Sequence, residues 1–195
     1  NRSLIGEIVT RLDCLSLAIE LAAARLRILP PARLLERLSA RFDLLRAGRR
    51  DQSGRQLTLR GAIDWSWNLL EPWEQAALAQ CSVFRGGFTL ESAEEVLDTA
   101  AWEQSPWVMD NVEALVDHSL VRVDEAQPGC LRFSLYESIR EFAAEKMADE
   151  GAVVSPVFER QTGAEALEEL RRRHARHYSK LGAREHLDSL NLHGG

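Results

Sequence analysis

A chain of 195 residues with 45% hydrophobic and 28% charged residues has room for one ordinary domain or two small ones with real cores. That excludes a disordered tail, a collagen-like repeat and a disulfide-stapled miniprotein. The net charge of −6 hides a division: residues 1–60 hold twelve arginines against six acidic groups, residues 61–150 five basic against eighteen acidic groups, and residues 151–195 seven against six. An acidic middle of this kind repels phosphate backbones. It reads either as a solvated face or as a surface that docks on the Arg-rich N-terminal segment or on a partner. Cys14, Cys81 and Cys130 form no CxxC pair, which argues against a zinc ribbon and for a reducing, cytoplasmic setting. The richest apolar stretch, Leu15–Leu29, is interrupted by Glu20, Arg25 and Arg27 and cannot span a bilayer. No signal peptide opens the chain. The missing initiator Met and the helical start read as a fragment of a longer protein.

Residues 4–29 predict one largely buried helix with a break near Cys14, in which Asp13, Glu20 and Arg27 recur every seven residues as a polar stripe. Pro30-Pro31 ends it and starts the next helix, with Leu34, Leu35, Leu38, Phe42 and Leu45 at helical spacing. Gly48 to Gln56 reads as a polar loop and a hinge. Thr58 to Leu70 is amphipathic, with Ile63, Trp67 and Leu70 on one face, and Trp65, Trp67 and Trp73 read as core. Glu71-Pro72 opens a helix through Ser82, and Gly86-Gly87 is a turn. Thr89 caps a helix with Glu91 in its first turn, and Val108 to Ser119 is the next helix. Leu120–Asp124 alternates as a strand, Glu125–Gly129 is a turn, and Cys130–Leu135 is a second strand. A helix from Glu137 to about Glu150 follows, then a linker from Gly151 to Thr162. The last element is an Arg-rich helix from Ala164 to Leu190 with no packing partner downstream. Three helices followed by a two-stranded hairpin is a winged-helix plan, and the predicted class is mainly α with one small hairpin.

No catalytic set is legible. The only lysines, Lys146 and Lys180, follow Glu145 and Ser179, so no phosphate-binding P-loop exists, and no GxSxG or HExxH motif occurs. His174 and His177 share a helix face, but a zinc site needs three or four ligands, and the pair reads as part of a solvated basic face. His118 ends an acidic helix and reads as a C-cap contact. The third helix of the winged helix carries Asp110, Glu113 and Asp117 with no Arg or Lys, and the wing, Glu125–Gly129, is without a basic residue. Such a face sets carboxylates against phosphates. The winged helix is therefore expected to be a packing module, with DNA binding as the alternative.

Five stretches in order, RLDCLSLAIELAAARLR, LTLRGAIDWSWNLLEPWEQ, SVFRGGFTLESAEEV, LVDHSLV and LRFSLYESIREFA, resemble the region after the nucleotide-binding core of STAND-class (NB-ARC-like) signalling ATPases. The resemblance covers about residues 4–182 and is to the bacterial branch found in transcription regulators. It implies a helical domain over residues 1–56, a winged helix over 57–150, and a linker and the first helix of a TPR-like superhelical sensor over 151–195. The family's P-loop core would lie upstream. It also implies that ADP holds core, helical domain and winged helix closed, and that ATP releases them to a homo-oligomer, with protein partners met through the sensor. Two positions would face the nucleotide, and both depart from the family's pattern. The GLPLA motif is here CLSLA, with Cys14 for Gly and Ser16 for Pro. Cys14 gives up glycine's backbone freedom, and Ser16 regains an amide N–H while losing a fixed φ. The MHD motif falls on Leu135-Tyr136-Glu137, so Tyr136 stands at the phosphate-sensing His and could donate one hydrogen bond.

The expectation is a non-enzymatic, membrane-free regulatory part of a nucleotide-dependent switch. Arg49, Arg50 and Arg55 would pair with acidic groups in only one of its states. The runner-up expectations are a DNA-binding winged-helix regulator and a nucleotide-free interaction scaffold.

Overall fold

The computed structural model describes residues 2–12, 14–38, 54–127, 130–156 and 161–192. The break expected near Cys14 divides residues 4–29 into two helices, α1 (Arg2–Arg11) and α2 (Ser16–Arg25), and the second ends before Leu29. The break falls at Cys14, whose φ of 55° lies in the left-handed region that a continuous helix of L-residues does not use. α1 is also less buried than the pattern implies: Ile8 is covered, but Ile5 stands exposed. After Pro30, the described part of α3 (residues 31–38) is helical and buries Leu34 and Leu38. Phe42, Leu45, Arg49 and Arg50 lie outside the described residues.

α4 (Gly54–Trp67) starts inside the stretch read as a loop, so residues 54–56 are helical. Ile63, Trp67 and Leu70 are buried as predicted, but Ala62, Trp65 and Ser66 are buried too, so the end of α4 is covered nearly all round; Trp67 meets Phe142 edge-on at 5.9 Å. α5 (Pro72–Cys81) begins with Pro in its first turn, and the Glu71 N–H donates to the Glu74 carboxylate at 2.9 Å. α6 (Leu90–Val96) is capped as predicted, the Thr89 hydroxyl accepting from the Ser92 N–H at 3.3 Å.

α7 (Val108–Asp117) ends in a Schellman turn: the Leu120 N–H donates to the Leu115 carbonyl at 2.9 Å and the Ser119 N–H to the Val116 carbonyl at 2.8 Å. Ser119 has a φ of 57° there. The chain then enters β1 (Arg122–Gln127), antiparallel to β2 (Cys130–Ser134), with Val123 opposite Phe133 and Glu125 opposite Leu131. Because Gln127 still pairs with Cys130, the hairpin turn is shorter than the Glu125–Gly129 expected. Phe88 adds a bridge to Phe133 through reciprocal 2.8 Å bonds. Gly87, at φ 82°, permits this approach, since a Cβ there would lie 2.7 Å from the Phe133 carbonyl oxygen.

α8 (Glu137–Ala148) and α9 (Ala164–Leu192) complete the chain. α5 packs on α7 and α8, α6 on α7 and α9, and α2 on α4. Residues 70–148 thus form a winged helix from α5, α6, α7 and the hairpin, closed by α8. The core runs through Leu78, Phe88, Leu115, Leu120, Ile139 and Met147. α9 finds its packing upstream: Leu170 is fully buried and the helix lies along α6 and α8. Among the described residues no helix is long and apolar enough to cross a membrane.

Serine at the left-handed position after α7 carries a steric cost that glycine avoids. Ser119→Gly is expected to stabilise the chain by about 0.5–1 kcal/mol, read as a higher urea midpoint with unchanged slope.

Candidate functional site

The seam between α2 and the winged helix is built on one side chain. Arg25, the last residue of α2, is 1% exposed. Its Nη1 lies 2.6 Å from His118 Nδ1, and its Nη2 donates to the Ser66 carbonyl at 3.3 Å. Ser66 sits in the last turn of α4 and His118 is the C-cap of α7, and neither helix has a basic residue of its own in its last turn. The negative ends of two helix dipoles therefore converge on a guanidinium supplied by a third helix. Two residues further, Arg27 pairs with Asp117 at 3.0 Å, and Arg60 of α4 makes a two-pronged pair with Glu145 of α8.

Burial lowers the Arg25 pKa, with Glu74 working the other way. The His118 pKa is pushed down to about 4, first by burial and then by Arg25. Burial also raises Glu74. An imidazole that accepts from Arg25 at Nδ1 carries its hydrogen on Nε2 and is neutral. His118 is the predicted C-cap, yet its ring meets a cation from another helix, a pairing with no local signal. Arg25 itself had one: it is a charge inside the small-residue run LAAARL.

The two residues tied to nucleotide by resemblance flank this seam, Ser16 from α2 and Tyr136 from the winged helix. Ser16 is the exposed first residue of α2, and Glu20, one turn on, shares its face. Tyr136, half-buried at the N-cap of α8, brings its hydroxyl to 3.5 Å from Glu20 Oε2, and Arg122 lies over its ring at 5.0 Å. Tyr136 thus reaches the helix that Ser16 opens, through Glu20, a residue the sequence pattern did not single out for this role.

The outer face of α7 exposes Met109, Asp110, Glu113 and Asp117, and Trp107 before it is 80% exposed. On the hairpin strands, Arg122 of β1 pairs with Asp124, and Arg132 of β2 donates through Nε and Nη2 to the Gly86 carbonyl.

The α9 histidines are not on a solvated face. His177 is buried with its Nε2 2.9 Å from Ser92 Oγ, and His174 lies against Phe84. A cleft of about 550 Å³ between α6, β2 and α9 is lined by Thr89, Ser92, Arg132, His177 and Tyr178. Its Ser92, His177 and Arg132 groups already bond one another or backbone. Arg173 of α9 donates to the Val96 carbonyl at 2.8 Å and to Gln80 Oε1 at 2.9 Å, closing the end of α6. Burial pushes the Cys81 thiol up to about 12, so it is inert.

Residues 70–148 match the family model of a winged helix-turn-helix domain. The chain is 42% identical over 152 residues, 77% of its length, to proteins of Mycobacterium tuberculosis and Mycobacterium bovis whose names assign them provisionally as HTH-type transcriptional regulators. It spans 17% of the length of those relatives. An uncharacterized Mycobacterium tuberculosis protein is 35% identical over 147 residues, 75% of this chain and 37% of that one. No solved structure gives a significant match. The similarity is thus to a winged helix-turn-helix domain and to proteins named as regulators; none of these matches bears on STAND-class membership.

The seam predicts unequal costs for two neighbouring arginines. Arg25→Ala is expected to lower stability by about 2–4 kcal/mol, combining a cavity with lost charge-assisted bonds. Arg27→Ala, at an exposed pair, is expected to cost less than about 1 kcal/mol. Chemical denaturation of the two variants checks the contrast.

Proposed function

We propose that this chain is the regulatory winged-helix segment of a longer transcription regulator, and that its winged helix works by docking on protein, its own chain first. The outer face of α7 carries this reading: Trp107, Met109, Asp110, Glu113 and Asp117, with no Arg or Lys on the helix. A recognition helix meets base edges and phosphates largely with donors and cations. Carboxylates there oppose the duplex. Arg25 and Arg27 on the last turn of α7 support the docked arrangement.

With the resemblance to STAND-class ATPases, docking becomes the off state of a cytoplasmic switch. ADP or ATP bound by a core elsewhere in the full-length protein would bias it by contacting the two states differently. Ser16 and Tyr136 are the residues of this segment that would face that nucleotide. α9 would open a TPR-like sensor for protein partners, and release would lead to a homo-oligomer. The segment has no catalytic part in this reading.

The second reading is DNA binding by the winged helix, and it is the one the family match and the relatives' names favour. The cations it needs would come from outside α7. Exposed Arg172, Arg176 and Lys180 stand one turn apart along α9 and could supply them.

Titration of the chain with duplex DNA between about 50 and 200 mM salt separates the readings. No binding across that range is expected, and binding that weakens steeply with salt would replace docking by the second reading. For the switch, full-length protein purified natively and then denatured is expected to release stoichiometric ADP or ATP. A pocket that is empty and takes up neither would leave a scaffold without nucleotide control.

A further inference from the structure

The seam contains a buried cation that no acid among the described residues contacts directly, Glu74 acting on it only from beyond ion-pair distance. Among the described residues no carboxylate lies within ion-pair distance of the Arg25 guanidinium, and its Nε and the neighbouring Ser66 Oγ are buried without a partner. What holds the charge is the carbonyl end of α4 and one lone pair on His118. That lone pair exists only while the imidazole is neutral. A second proton on the ring would sit on Nδ1, in a 2.6 Å gap already filled by an Arg25 N–H, placing donor against donor and cation against cation.

We propose that the Arg25–His118 contact is an acid-labile lock between α2 and the winged helix, closed while His118 is neutral and released when it takes a proton.

The groups around the ring do little to rescue the protonated form. From α2 come Arg25 and Arg27, both of which oppose a proton. From α7 comes Asp117, which favours one, but Arg27 already occupies it at 3.0 Å. Glu74 of α5 faces Arg25 from the other side, and its own charge is disfavoured by burial. α4 offers only the Ser66 carbonyl.

The direction of the effect follows from linkage. His118 titrates near 4 with the seam closed and near its ordinary 6.5 with the seam open. Above about pH 6.5 neither form binds the proton, and the lock has its full strength. As pH falls from about 6.5 towards 4, only the open form binds the proton, so the open population grows. His118 is half-exposed, which screens part of this. A rise of about tenfold in the open fraction between pH 7 and pH 5 is expected. The lock rests on the seam alone and holds whichever reading of the winged helix proves correct.

Amide hydrogen exchange of the chain at several pH values, corrected for the intrinsic pH dependence of exchange, reads the lock directly. Protection in α2 is expected to fall about tenfold relative to α5 between pH 7 and pH 5 in the native sequence. In His118→Gln, whose side-chain oxygen can accept from Arg25 but cannot titrate, that fall is expected to vanish. Protection of α2 that stays constant with pH, or an equal fall in His118→Gln, would overturn the proposal. Should His118→Gln not fold, the histidine ring resonances of the native chain decide. An His118 pKa well below 6.5 supports the lock, and one at or above 6.5 removes it.

Discussion

A guanidinium placed where two helices end is the contact on which the arrangement of this chain depends. α4 and α7 both finish without a basic residue, so their terminal carbonyls present partial negative charge to the interior. Arg25 meets both ends at once, the Ser66 carbonyl in α4 and the His118 ring at the end of α7, and to do so α2 must lie across them. An isolated buried charge is costly, and here it is offset by one carbonyl, an imidazole lone pair and helix dipoles. Such a balance is tight. It fixes one orientation of α2 and makes the contact sensitive to the protonation of a single neighbour.

The same device recurs on the opposite flank. α6 also ends without a basic residue, and Arg173 of α9 donates to its last carbonyl, that of Val96. The charge division in the sequence thereby acquires a structural meaning. An acidic winged helix lacks the cations that its own helix ends call for, and the Arg-rich segments before and after it supply them. Arg27–Asp117 and Arg60–Glu145 extend this pattern at the surface, where each pair contributes little by itself. Of the two readings of the acidic middle, solvated face or docking surface, both are realised on different sides: the last turn of α7 is docked, while Asp110 and Glu113 remain in solvent.

That distribution bears on function. The outer face of α7 combines carboxylates with a bare tryptophan, a surface suited to protein more than to a polyanion. The winged-helix architecture itself does not decide between them, since function belongs to the residues placed on a fold. The chain is similar to proteins named as HTH-type regulators, and the chemistry of the α7 face is the feature of its own that bears on how a winged helix would take part.

Local order was legible in the sequence because local chemistry sets it. The Thr89 cap, the Pro72 helix start, the burial of Ile63, Trp67 and Leu70 and the presence of the hairpin all follow from neighbours within a few residues. The hairpin's inward and outward alternation does not appear, since Val123 and Leu131 are both exposed. The break after α1 was only half legible, because Cys14 carries none of the glycine chemistry that ordinarily marks a left-handed residue. What tertiary structure alone decided was which distant group each polar side chain meets. Arg25 and His118 lie 93 positions apart, and Ser92 and His177 lie 85 apart. Tyr136 meets Glu20 across a similar gulf. Periodicity reports that a residue faces inward or outward, but it carries no address for its partner. That address comes from the packing of whole helices, in which the ends of α4 and α7 are brought to one point and a single arginine is left to fill it.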